Sequence, residues 1–136
     1  MSSFIPSKFL RLALGADALS SAVLGVACAA GAAPLSNLLG LPEPLLRTAG
    51  LALLPWAAVV GFLATRATLR PAFVWAVIAL NVLWAVDSFV LLFGSQVQPT
   101  ALGMAFIVVQ AVAVLVLAEC QMIAMRRSRS LWVATA

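Results

Sequence analysis

Four long apolar stretches, separated by short polar segments, dominate the chain. They cover about residues 9–33, 45–64, 71–93 and 100–125, and each has the ~20 residues that a helix needs to cross the hydrocarbon core of a membrane. Lipid cannot satisfy the unpaired backbone groups of an open strand edge, so helices are expected. The short connections favour antiparallel neighbours. The pattern predicts an all-α, up-down four-helix transmembrane bundle, formed by residues 1–136 as a single membrane domain.

The longest connection, residues 34–44, has structure of its own in this interpretation. Residues 35–40 suit a short interfacial helix with Ser36 as its N-cap and Gly40 as its stop. Pro44 is compatible with the first turn of a helix, so the second span is expected to begin near it.

Composition agrees with a membrane location. The apolar fraction is 65% and the charged fraction only 9%, against about 25% charged residues in soluble domains. The net charge of +4 raises the question of nucleic acid. The positive charges, however, lie at the ends of the apolar stretches, where they act as topology signals. The lipid bilayer is therefore the expected partner, and nucleic acid is not.

The distribution of Lys and Arg predicts the orientation. In a four-span chain, the N-terminus, the middle connection and the C-terminus lie on the same side of the membrane. That side carries seven of the eight basic residues, and Arg47 alone lies on the other. Both termini are therefore placed in the cytoplasm. The seven are Lys8, Arg11, Arg66, Arg70, Arg126, Arg127 and Arg129.

The first apolar stretch has an alternative interpretation as a signal peptide. Lys8 and Arg11 precede it, and small residues at positions 27–33 resemble a cleavage site. Asp17 interrupts the stretch, which is also long for a signal. A membrane span is therefore favoured.

Ionisable residues inside the spans are candidate functional residues because burying them is costly. Arg47 and Asp87 have similar depths near the outer side, and an ion pair between them is predicted, as a lock between two helices or as a gate. Asp17 and Glu119 each lie about two helical turns from the cytoplasmic side. If they share a cavity, one or both should hold a proton at neutral pH, as a proton-coupled transporter needs. Otherwise, they pair with the basic rim or reach towards water.

Polar side chains near the middle of the membrane form a second candidate site. Asn81 and Gln110 share a depth and are expected to lie near each other. Asn81, Trp84 and Ser88 follow one another at helical spacing, so with Gln110 they are a candidate polar pocket. Gln121 falls on the same face of the last helix as Gln110, whereas Glu119 points away from it. Aromatic residues that simply fill the core are the competing interpretation.

Several kinds of chemistry find no support. The chain has no His, so a histidine base is excluded, and a haem or His-based metal site is not expected. Cys28 and Cys120 fall near opposite sides of the membrane, too far apart for a disulfide in one monomer. There is no CxxC motif, phosphate-binding loop or nucleophile elbow. No enzymatic activity, cofactor or metal is predicted.

Three segments carry a resemblance to other proteins. They read LLRTAGLALLPWAA at 45–58, NVLWAVDS at 81–88 and PTALGMAF at 99–106, the last followed by Gln110 and Ala111. With these segments the chain resembles a group of small four-span bacterial integral membrane proteins with no established activity. The resemblance implies an inner-membrane protein and assigns no catalytic or binding roles.

Two functions remain open at this stage. The preferred one is a non-enzymatic packing, accessory or self-associating membrane protein, which forms a homo-oligomer or joins a larger membrane complex. The alternative is a small proton-coupled transporter that uses Asp17, Glu119 or both. A packing protein predicts a dry bundle with paired polar groups, and a transporter predicts a polar cavity that reaches one of these acids.

Overall fold

The predicted all-helical architecture with four span-like helices is confirmed. The computed structural model describes the backbone of residues 3–135 and the side chains of residues 3–128, so the side chain of Arg129 lies outside this range. Four of the five helices are long and apolar enough to cross a membrane, α5 through its part Ala101–Ser128. The helices are α1 (Lys8–Ala30), α2 (Ala32–Leu39), α3 (Glu43–Thr65), α4 (Pro71–Phe93) and α5 (Ala101–Thr135).

Local signals explain where the first helices begin and end. The backbone N–H of Leu10 donates to Ser7 Oγ (3.1 Å), which caps α1. Helix α2 ends at Gly40, whose φ of 70° lies in the left-handed region that favours glycine. The prediction of Ser36 as N-cap is wrong, because α2 begins four residues earlier. Ser36 Oγ instead donates to the carbonyl of Leu41 (2.6 Å) and holds the chain after the helix.

The helices pack as two pairs. Helix α1 lies along α3, and α4 lies along α5; contacts between α1 and α5 join the pairs. Close approach of α1 and α3 depends on Gly25 and Gly50, since a Cβ on Gly50 would lie 2.7 Å from the Gly25 carbonyl oxygen. Helices α3 and α4 approach each other far less closely. The expectation that all consecutive spans are packed neighbours is therefore wrong for this pair, and space is left between the two halves.

One end of the bundle is closed by the segment before α1. Phe4 forms an antiparallel bridge with Leu69 in the connection between α3 and α4, through two N–H to O bonds of 2.9 Å. Both side chains are buried in an apolar cluster with Leu10, Val74 and Met125. At the other end, the N–H of Thr100 donates to the carbonyl of Leu39, which ties α2 to the start of α5.

Candidate functional site

A buried carboxylate lies at the centre of the bundle. Asn81 Nδ2 and Gln121 Nε2 donate to Asp17 Oδ2 at 2.7 and 2.9 Å, and Ser21 Oγ lies 3.4 Å from Oδ1. Asn81 Nδ2 also lies 3.3 Å from Gln121 Oε1, which closes the network. Asp17 is 2% exposed and Gln121 is fully buried. This "aspartate cluster" of Asp17, Ser21, Asn81 and Gln121 connects α1, α4 and α5, and so joins the two helix pairs.

A second polar network connects α4 to α5. Trp84 Nε1 donates to Gln110 Oε1 (2.8 Å), and Gln110 Nε2 donates to Ser88 Oγ (2.9 Å) and to the Ile107 carbonyl (3.0 Å). Ser88 Oγ in turn donates to the Trp84 carbonyl at 2.8 Å. In this "glutamine cluster" of Trp84, Ser88 and Gln110, the side-chain donors are used within the network.

The candidate polar pocket is therefore divided between two networks. Trp84, Ser88 and Gln110 lie together, as the sequence suggested. Asn81 belongs to the aspartate cluster and does not bond to Gln110, although both residues line the larger cavity. Depth along the helices was the basis for pairing these two amides, and depth does not specify the direction of a side chain. The missed partner of Asn81 is Gln121, whose signal was its position on the inward face shared with Gln110.

A cleft lies between the α1–α3 pair and the α4–α5 pair. It consists of a cavity of about 630 Å³ and a neighbouring one of about 370 Å³, with Leu24, Leu53, Trp84, Asp87 and Gln110 lining both. We call this space the interpair cleft. Leucine, valine and alanine form most of the wall. The larger cavity also touches Trp56 and two members of the aspartate cluster, Ser21 and Asn81.

The predicted ion pair between Arg47 and Asp87 is not formed. Arg47 instead binds Glu43 Oε1 at 2.8 Å, one turn earlier on α3, with both side chains exposed. A partner four residues away on the same helix is already within reach, whereas α3 and α4 are not closely packed. Asp87 is exposed to the cleft and has neither a hydrogen bond nor an ion pair within residues 3–128.

Asp17 and Glu119 do not share a cavity either. Glu119 is exposed on α5 and has no polar partner within the part of the chain whose side chains are described. It precedes Gln121 by two positions, which at 100° per residue turns it about 200° away. Since Gln121 faces Asp17, Glu119 must face outwards.

The described residues offer little for metal or thiol chemistry. No three His, Cys, Asp or Glu side chains within residues 3–128 are close enough to hold a metal ion. Cys28 and Cys120 are free thiols on opposite halves of the bundle.

The fold and these polar networks indicate a multi-pass helical membrane protein. Comparison with protein families, with curated proteins and with solved structures finds no match. The interpair cleft and the acids around it therefore provide the basis for assigning a function.

Proposed function

We propose that this chain is a non-enzymatic multi-pass protein of the bacterial inner membrane that binds a small, largely apolar molecule in the interpair cleft. It crosses the membrane four times in an up-down arrangement, with both termini in the cytoplasm. Four span-like helices and the strong bias of Lys and Arg towards one side support this topology.

The interpair cleft is the observation that carries the binding function. Sites for small molecules are typically cavities of about 300–1,000 Å³ with mostly apolar walls and a few placed polar groups. The larger cavity, about 630 Å³, falls within this range, and Trp56, Asn81 and Asp87 contribute aromatic and polar atoms to its wall.

Two observations also support a role in packing or self-association. The aspartate and glutamine clusters are internally satisfied, as expected of groups that hold helices together. Glu119 is an exposed acid within a span, and an unpaired charge facing lipid is costly. Self-association through this face of α5 would remove Glu119 from lipid, so binding and oligomer formation are compatible functions of the same protein.

Proton-coupled transport is the second candidate function, and one contact favours it. Ser21 and Asn81 both bond to Asp17 and line the cleft. A molecule in the cleft would therefore touch the groups that hold the buried carboxylate. In this proposal Asp17 carries the coupling and Glu119 does not. Uptake into proteoliposomes driven by a pH gradient, and abolished in Asp17→Asn, would be the supporting result.

A cleft-filling substitution tests the binding function. Ala52 is exposed and lines both cavities, whereas Ala58 is exposed on the same helix and lines neither. We expect a neutral dansyl amide, added to protein in zwitterionic nanodiscs, to give saturable energy transfer from tryptophan. Saturation should be lost in Ala52→Phe and kept in Ala58→Phe. If wild-type transfer rises linearly, as for partition into lipid, or if both variants behave alike, the proposed function is wrong.

A further inference from the structure

We propose that the molecule bound in the interpair cleft is a lipophilic organic cation and that Asp87 is its counter-charge. This inference rests on the proposed binding function and adds the chemical class of the ligand. It starts from the position of Asp87, six residues before the end of α4 at Phe93. At 1.5 Å per residue, the carboxylate is carried about 9 Å inside the span, where an unpaired charge is costly.

The side chains of residues 3–128 do not supply a cation for Asp87. The basic residue nearest in depth, Arg47, is bound to Glu43. The other basic side chains of residues 3–128 lie at the opposite end of the bundle, where α1 and α4 begin and α3 ends. Arg11, for example, donates to the Ala64 carbonyl at that end. No basic side chain of residues 3–128 lies beside Asp87, so the positive charge is assigned to the molecule bound in the cleft.

The polar neighbours of Asp87 are also engaged elsewhere. Asn81 bonds to Asp17, and the donors of Trp84, Ser88 and Gln110 are used within the glutamine cluster. Asp87 thus presents a charged acceptor with unused capacity to the cleft. Thr48 is another lining residue without a side-chain hydrogen bond among residues 3–128, but its hydroxyl is neutral. The cleft is built to receive one positive group, held at the position of Asp87.

The walls select an organic cation over a metal ion. A single carboxylate provides too few ligands for a metal ion, which takes about six to eight oxygen atoms when it is Ca²⁺. Leu24, Leu53 and Trp56 offer no further oxygen atoms, but they provide apolar and aromatic contact. The indole rings of Trp56 and Trp84 also attract a cation over their faces. A substituted ammonium with an apolar body satisfies both the charge and the wall.

A pair of probes of equal shape tests the inference without altering the protein. One is a dansyl amide with a trimethylammonium arm, and the other carries a neutral tert-butyl arm. In zwitterionic nanodiscs, which avoid attraction to anionic lipid, we expect the cation to bind at least about tenfold more tightly, through the ion pair and the cation–π contact. Equal affinities would overturn the inference and leave the proposed binding function in place. No saturable binding of either probe would instead refute the binding function.

Substitution of Asp87 tests whether this residue is the source of the preference for the cationic probe. Asp87→Asn should reduce the affinity for the cationic probe to that of the neutral probe. Glu119→Gln removes the other partnerless acid, which lines neither cavity, and should change neither affinity. The thermal unfolding temperature of Asp87→Asn should equal or exceed that of wild type, since the substitution removes an unpaired charge and breaks no bond within residues 3–128. Retention of cation preference in a folded Asp87→Asn variant would exclude Asp87 as the counter-charge.

Discussion

Two substitutions of Asp17 distinguish the contribution of its hydrogen bonds to stability from the contribution of its charge. Asp17 Oδ2 accepts from the amides of Asn81 and Gln121. Leucine at this position would leave both buried amides without that acceptor. Asparagine could keep both, because its oxygen can occupy the position of Oδ2 while its amide donates to Ser21 Oγ. The two substitutions remove the same charge and differ in the hydrogen bonds that they retain.

The expected loss follows from these bonds. Hydrogen bonds between helices in membrane proteins contribute roughly 0.6 kcal/mol on average and about 1.7 kcal/mol at most. Loss of two such bonds in Asp17→Leu should therefore lower the free energy of unfolding by about 1–3 kcal/mol. For Asp17→Asn we expect a change of less than about 1 kcal/mol, since what is lost is mainly the charge assistance of the bonds.

Reversible unfolding in mixed micelles, followed by circular dichroism, measures these differences. Asp87→Leu is the matched control, because it makes the same substitution at an acid that has no partner among residues 3–128. It should leave stability unchanged or raise it, as a charge is removed from the span. The reasoning would be refuted if Asp17→Leu were as stable as Asp87→Leu, or if asparagine at position 17 were as harmful as leucine.

Other contacts make further predictions. Gly50→Ala should destabilise the protein by about 1–2 kcal/mol, because the added Cβ would meet the backbone of α1. Gly61→Ala on the same helix has room for the Cβ and should be neutral or stabilising by up to about 1 kcal/mol. Equal effects of the two substitutions in chemical unfolding would contradict this packing. Gln110→Leu removes the acceptor of the Trp84 indole N–H and should lower the free energy of unfolding by about 1–2 kcal/mol. Arg47→Ala breaks the exposed ion pair with Glu43 and should change it by less than about 0.5 kcal/mol. A larger loss in Arg47→Ala than in Gln110→Leu would refute both assignments. Glu119→Gln should shift oligomers in nanodiscs, counted by single-molecule photobleaching, if that face self-associates, and an unchanged distribution would count against this interface.

The sequence predicts the bounds of the helices better than it predicts which polar side chains pair within the bundle. The helix bounds follow from apolar runs and from Pro and Gly signals; α4 begins at Pro71 and ends at Phe93, as predicted. Shared depth predicts that Arg47 meets Asp87 and that Asn81 lies near Gln110, and helical spacing adds Trp84 and Ser88 to the candidate pocket. Trp84, Ser88 and Gln110 do lie together. Arg47 does not bond to Asp87, and Asn81 bonds to Asp17 and Gln121 instead of Gln110.

In both cases, the residue bonds to a partner other than the expected one. Arg47 had Glu43 one turn away on its own helix, a pairing that local spacing allows without any tertiary contact. Asn81 meets Asp17 and Gln121 only because α1 and α5 come together beside α4. That meeting depends on which helices are neighbours, and the lengths of the loops do not predict that α3 and α4 lack close packing.

The sequence by itself determined the four span-like helices, their approximate ends and the identity of the polar residues inside them. These properties depend on local composition and on the period of a single helix. Only the tertiary structure decided that Asp17 is enclosed by amides, that Glu119 faces outwards and that Asp87 faces a cleft without a partner. The reason is geometric: a shift of one residue turns a side chain by about 100°, so its surroundings depend on how each helix is rotated and packed against the others.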